Sequence, residues 1–116
     1  MSKRQRAFTL KPLDNGVAVV EINVANEPQN TLKAEFAEDF DFLYEQIQQQ
    51  KPKALVFYST KKGSFIAGAD INMIHSQNSA EAVTELSLMC HRAFQALEDL
   101  QIPVVAAIDG ACLGGG

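Results

Sequence analysis

Two short stretches of this 116-residue chain could do chemistry with their backbone rather than their side chains. They are Phe65-Ile66-Ala67-Gly68-Ala69-Asp70-Ile71 and Gly110-Ala111-Cys112-Leu113-Gly114-Gly115-Gly116, both rich in small residues. Such loops let peptide N–H groups approach a ligand without side-chain obstruction. Two loops offer two converging donors, and a helix beginning at the three glycines would add the positive end of its dipole. Donors aimed at a developing oxyanion serve acyl and enolate chemistry, where losing one costs about 3 kcal/mol. Phosphate cradling of the P-loop kind is disfavoured, because Gly116 stands where that pattern requires lysine.

Other reactive side chains fit weaker patterns. Lys61 and Lys62 precede the first loop and could meet phosphate groups, although solvated turn lysines are commoner. His75, Cys90 and His91 lack metal-ligand spacing, since adjacent helical residues point to different faces. Cys90 and Cys112 form neither a disulfide framework nor a Cys-x-x-Cys motif, and their apolar neighbours suggest packing as small hydrophobes.

The elements that must position the two loops follow from periodicity. Phe8 and Leu10 alternate with polar residues, Asp14-Asn15-Gly16 is a turn signal, and Val17–Ile22 is apolar, so the spacing predicts a β-hairpin. Leu32, Phe36, Phe40, Leu43, Tyr44 and Ile47 predict a helix from Leu32 to about Gln48, capped by Asn30 or Thr31. Its polar face is read as Glu35, Glu38, Asp39 and Glu45. Ala54–Ser59 predicts a strand buried on both faces. Asn78 with Glu81 is a plausible capping box for a second helix carrying Val83, Leu86, Met89, Cys90, Phe94, Leu97 and Leu100. Val104–Ile108 predicts another buried strand, with Asp109 buried at its end. Strand, crossover helix and strand are parallel in nearly all right-handed connections, which brings the two small-residue loops to one sheet edge.

Composition narrows the classes. With 47% hydrophobic and 21% charged residues the chain suits one globular core. A net charge of −4 argues against nucleic-acid binding. The basic residues Lys3, Arg4, Arg6 and Lys11 lack a secretory apolar core, and the first residues are read as a solvated tail. No window approaches the ~18 apolar residues of a membrane span, and a cytoplasmic location is expected.

The two loops, together with Asn30-Thr31-Leu32, resemble the signature segments of the enoyl-CoA hydratase/isomerase, or crotonase, superfamily. The resemblance spans nearly the whole chain. It implies an α/β crotonase-like (ClpP/crotonase) β-β-α superhelix, of which residues 1–116 would be the N-terminal portion. It places the oxyanion-hole N–H groups on Ala69 and Gly115 and a carbonyl facing the coenzyme A adenine on Ala67. Asp70 would cap the turn, with Gly68, Ile71, Gly114 and Gly116 completing the substrate-binding segments. The implied activity is 2-enoyl-CoA hydration in fatty-acid β-oxidation, with enoyl-CoA isomerisation or an inert CoA-binding half as alternatives. The family's two catalytic glutamates would fall beyond Gly116, so this chain alone is expected to be inactive. No metal or cofactor is expected within it. The family further implies an NAD-dependent 3-hydroxyacyl-CoA dehydrogenase domain elsewhere and a thiolase β subunit as partner. An uncovered apolar strand near the second loop is expected to make this chain self-associate.

Overall fold

The structure, a computed structural model, describes residues 5–116; the expected tail at residues 1–4 lies outside the described residues. The hairpin forms as the turn signal requires. Strand β1 (Phe8–Pro12) runs antiparallel to β2 (Val17–Ile22), with Phe8 opposite Ile22 and Pro12 opposite Ala18. Helix α1 (Phe36–Gln50) crosses back, and β3 (Ala54–Ser59) lies parallel to β2. After β4 (Ser64–Ile66) come a short helix α2 (Ile71–His75) and the long α3 (Ala80–Glu98). Strands β5 (Val104–Ala107) and β6 (Ala111–Cys112) follow. The main sheet has the order β1-β2-β3-β5, and β4 pairs with β6 in a separate two-stranded parallel sheet.

The core lies on one face of the main sheet. Ala18, Val20 and Ile22 alternate inward along β2, and Leu55 and Phe57 do so along β3. They meet Phe40, Leu43 and Ile47, which recur at helical spacing on α1. An aromatic chain stitches the elements together: the Phe36 ring lies 5.8 Å from that of Phe8 and 6.0 Å from those of Phe40 and Phe94.

Several expectations are corrected. Helix α1 starts at Phe36 rather than Leu32, because Leu32 is held in a β-bridge to Ala69. Neither Asn30 nor Thr31 caps it, and Glu35 occupies the N-cap with no side-chain cap bond. Asp39 is not on the solvent face: it is 3% exposed, its carboxylate accepts from the Ala7 N–H at 3.2 Å, and Arg6 lies 3.6 Å away. The second helix is capped by Ser79 rather than Asn78, its hydroxyl accepting from the Ala82 N–H at 3.1 Å. Strand β3 is buried along one face only, since α1 packs on that side. Strand β5 is exposed throughout: like β1 it is a sheet edge, but none of its residues joins the core that buries Phe8 and Leu10 of β1. Asp109 and Cys112, following it, are exposed too, and Cys90 is half-buried. The two loop regions contain short elements of their own, β4, α2 and β6.

Candidate active site: two unpaired peptide amides beside one apolar cavity

The small sheet brings the two loops together. Ser64 of β4 is in register with Ala111 of β6 and Ile66 with Cys112, and the Leu113 N–H donates to the Ile66 carbonyl at 3.0 Å. Beyond that bond the chains still touch: a Cβ on Gly68 would lie 3.5 Å from the Leu113 carbonyl oxygen. Gly68 has a φ of +106°, a conformation that a side chain would strain, and it turns the chain into Ala69.

A third segment sets which way the Ala69 peptide faces. The Ala67 N–H donates to the Asn30 carbonyl at 2.8 Å, the Leu32 N–H to the Gly68 carbonyl at 2.9 Å, and the Asp70 N–H to the Leu32 carbonyl at 3.0 Å. In a parallel bridge of this kind both bonds from Leu32 go to the neighbours of Ala69. The Ala69 N–H is therefore left pointing away from segment 30–32. Among the described residues neither the Ala69 N–H nor the Gly115 N–H has a hydrogen-bond acceptor.

Asn30 anchors this arrangement from beneath. It is 1% exposed, and its amide nitrogen donates to the Ile22 carbonyl, the Ser59 hydroxyl and the Phe65 carbonyl at 3.2, 2.9 and 3.0 Å. Its amide oxygen accepts from the Val24 N–H at 2.9 Å. One side chain thus ties together the ends of β2, β3 and β4. Sequence reasoning singled out Asn30 for a cap and missed this role, which depends on strands distant in sequence.

Asp70 accepts from the Met73 N–H at 3.1 Å and caps α2. Lys61 does not reach outward. Its ammonium donates to the carbonyls of Val24 and Glu27 at 2.8 and 2.6 Å, while Lys33 pairs with the Glu27 carboxylate at 2.6 Å. Both lysines hold the loop before Asn30, and the ion pair with Glu27 raises the Lys33 pKa. Lys62 and His75 are exposed. Burial pushes the Cys90 thiol up.

Ala69 and Gly115 line the same cavity, about 330 Å³ in volume, whose walls are mainly Leu32, Phe36, Met73, Leu86 and Phe94. That size and lining suit an organic ligand held by a few polar contacts. Ala67, Gly68, Asp70, Ile71, Gly114 and Gly116 do not line it; they shape the turns that carry the two amides. A neighbouring cavity of about 380 Å³ shares Leu32 and Phe36 as a wall and extends beneath Gln5–Phe8, but it reaches neither amide. No helix among the described residues is long and apolar enough to cross a membrane.

Comparison with known proteins shows the family and the fold. The enoyl-CoA hydratase/isomerase family model matches residues 13–116. The fatty acid oxidation complex subunit alpha of Shewanella loihica is 49% identical over 112 residues, covering 96% of this chain and 16% of that protein. The subunit of the same name from Idiomarina loihiensis is 47% identical over 114 residues, covering 97% and 16%. The chain therefore spans about one sixth of the length of these curated relatives. Among solved structures, DspI of Pseudomonas aeruginosa superposes with a TM-score of 0.82 at 28% identity, covering 99% of this chain and 43% of that one. An enoyl-CoA hydratase from Bacillus anthracis superposes with a TM-score of 0.83 at 25% identity, covering 96% and 43%. The α/β architecture is thus that of the crotonase fold, and the chain belongs to the enoyl-CoA hydratase/isomerase family.

Proposed function

We propose that this chain supplies the oxyanion hole of a 2-enoyl-CoA hydratase acting in fatty-acid β-oxidation. The observation that carries the reading is the pair of unbonded N–H groups, on Ala69 and Gly115, beside one apolar cavity. A thioester carbonyl oxygen seated between them would accept both hydrogen bonds. As water adds across the 2,3-double bond, charge moves onto that oxygen as an enolate, and the fixed amides favour the charged state more than the ground state. The names of the relatives, subunits of fatty acid oxidation complexes, support the metabolic setting.

The acid/base carboxylates are a separate matter. General acid/base catalysis typically contributes ~10²–10⁴-fold, and no Asp or Glu lines this cavity. With no carboxylate at the cavity, this chain alone should bind and not turn over. Isomerisation of an enoyl-CoA uses the same two donors and is the neighbouring reading, distinguished by those carboxylates. Contact of the Ala67 carbonyl with adenine, an NAD-dependent dehydrogenase domain, a thiolase partner and a cytoplasmic setting for the whole protein rest on the family resemblance.

The test is amide-resolved NMR of the chain titrated with acetoacetyl-CoA, whose enolate mimics the charged intermediate. The Ala69 and Gly115 amide protons should move downfield together. Saturable binding that leaves both unmoved would dispose of the proposal. A companion hydration assay on crotonyl-CoA should find no turnover by this chain, whose cavity carries no carboxylate.

A further inference from the structure

Among the described residues Asn30 is the most deeply buried polar side chain, 1% exposed. An amide in such a place is costly unless its polar atoms are bonded, and Val24, Ile22, Ser59 and Phe65 supply the partners. Those bonds lead towards the first loop. The side-chain nitrogen donates to the Phe65 carbonyl at 3.0 Å, and the backbone carbonyl of Asn30 accepts from the Ala67 N–H at 2.8 Å. Two residues on, Leu32 exchanges bonds with Gly68 and Asp70, the neighbours of Ala69. Segment 30–32 is therefore laid as a short ladder along residues 65–70, and the Asn30 amide fastens the start of that ladder to Ile22 of β2 and Ser59 of β3. Asn30 itself lines the neighbouring cavity and not the one shared by Ala69 and Gly115.

From this chain of bonds we infer that Asn30 is a positioning residue for the oxyanion hole: its side-chain amide, without touching substrate, sets the direction of the Ala69 N–H. The inference rests on the hydratase reading and adds the residue that aims one of its two donors. Leu32 holds the peptides on either side of Ala69, so any tilt of segment 30–32 turns the Ala69 N–H with it. Among the described residues no bond from that segment reaches Gly115, which keeps its own direction. A hydrogen bond weakens steeply as it bends. A charged enolate oxygen therefore loses more from a misaimed donor than a neutral carbonyl does.

Titration calorimetry of the chain with acetoacetyl-CoA, which presents an enolate, and with butyryl-CoA, which presents a neutral carbonyl, tests this. Asn30→Asp keeps the side chain's shape and the acceptor for the Val24 N–H but sets a carboxylate oxygen against the Phe65 carbonyl. The ratio of the two affinities should fall about tenfold in this variant, with butyryl-CoA affinity little changed. In NMR the Ala69 amide proton should lose its downfield movement on acetoacetyl-CoA while that of Gly115 keeps it. A role in stability alone would lower both affinities together or leave the ratio and both proton shifts intact, and either result overturns the inference. If circular dichroism shows that Asn30→Asp does not fold, Ser59→Ala decides, since it removes one acceptor of the Asn30 amide. There the ratio should fall about threefold, and an unchanged ratio would overturn the inference. A wild-type preference for acetoacetyl-CoA that survives in the variants leaves the hydratase reading standing. A wild-type chain with no such preference removes that reading and the inference together.

Discussion

At the scale of single residues, the site depends on atoms that carry no functional group. Replacing Gly115 by proline removes one N–H, and affinity for acetoacetyl-CoA should fall about 10²-fold in the same calorimetric titration; unchanged affinity would deny that amide its role. Asn30 makes the opposite point. Asn30→Ala would strand the part-buried Val24 N–H and the buried Phe65 carbonyl, while the Ile22 carbonyl keeps the Thr60 N–H at 3.2 Å. Stability should drop by about 3 kcal/mol in a denaturant melt. The glycines and alanines at the site were legible in the sequence because small residues in paired loops have few other uses. The buried roles of Asn30 and Asp39 were not, because the groups that satisfy them arrive from other parts of the chain. Reactivity separates the two cysteines. Burial raises the Cys90 pKa, which keeps less of it as thiolate, while Cys112 is exposed. Iodoacetamide at neutral pH should label Cys112 first, as peptide mapping would register.

At the scale of elements, helix α2 shows how a site can rest on something marginal. Five residues cannot sustain a helix alone, so its Asp70 cap matters more than a cap usually does. Asp70→Ala should cost about 1 kcal/mol of stability and loosen the adjoining Ala69 peptide, weakening acetoacetyl-CoA binding, with Asp70→Asn restoring most of it. The main sheet has its own electrostatic tie across three strands. The Glu21 carboxylate on β2 accepts from the Tyr58 hydroxyl on β3 and pairs with Lys11 on β1 at 2.9 Å. The Tyr58 hydrogen bond, followed by that from Lys11, lowers the Glu21 pKa. A carboxylate with a lower pKa folded than unfolded stabilises the fold above its ordinary value, and that stabilisation fades as pH falls through the lowered pKa. Glu21→Gln should therefore flatten the acid side of the stability profile. Helices and strands were readable from period, but their boundaries shifted wherever a tertiary bond competed. Leu32 fits the apolar spacing of α1 and is spent instead on the bridge to Ala69.

At the scale of the whole molecule, the two edges of the main sheet differ in kind. Strand β1 carries Lys11 and Pro12, residues that discourage a further strand. Strand β5 is Val104-Val105-Ala106-Ala107, uncharged and exposed, with Ile108 after it 50% exposed. This asymmetry could be expected from sequence only in part: the apolar run was visible, but its edge position follows from a strand order that periodicity does not encode. The consequence concerns how the chain behaves in solution. Two copies meeting about a two-fold axis would join β5 to β5, because an antiparallel pair lets the same edge serve both partners, whereas β1 is guarded. Sedimentation velocity should then show dimers that dissociate on dilution. Val105→Lys, which places a charge beside that edge at a residue 52% exposed in the single chain, should shift the population to monomer without lowering the melting temperature of dilute protein. A wild-type chain that stays monomeric at high concentration would mean that backbone hydrogen bonds along four residues are too few to hold two copies together.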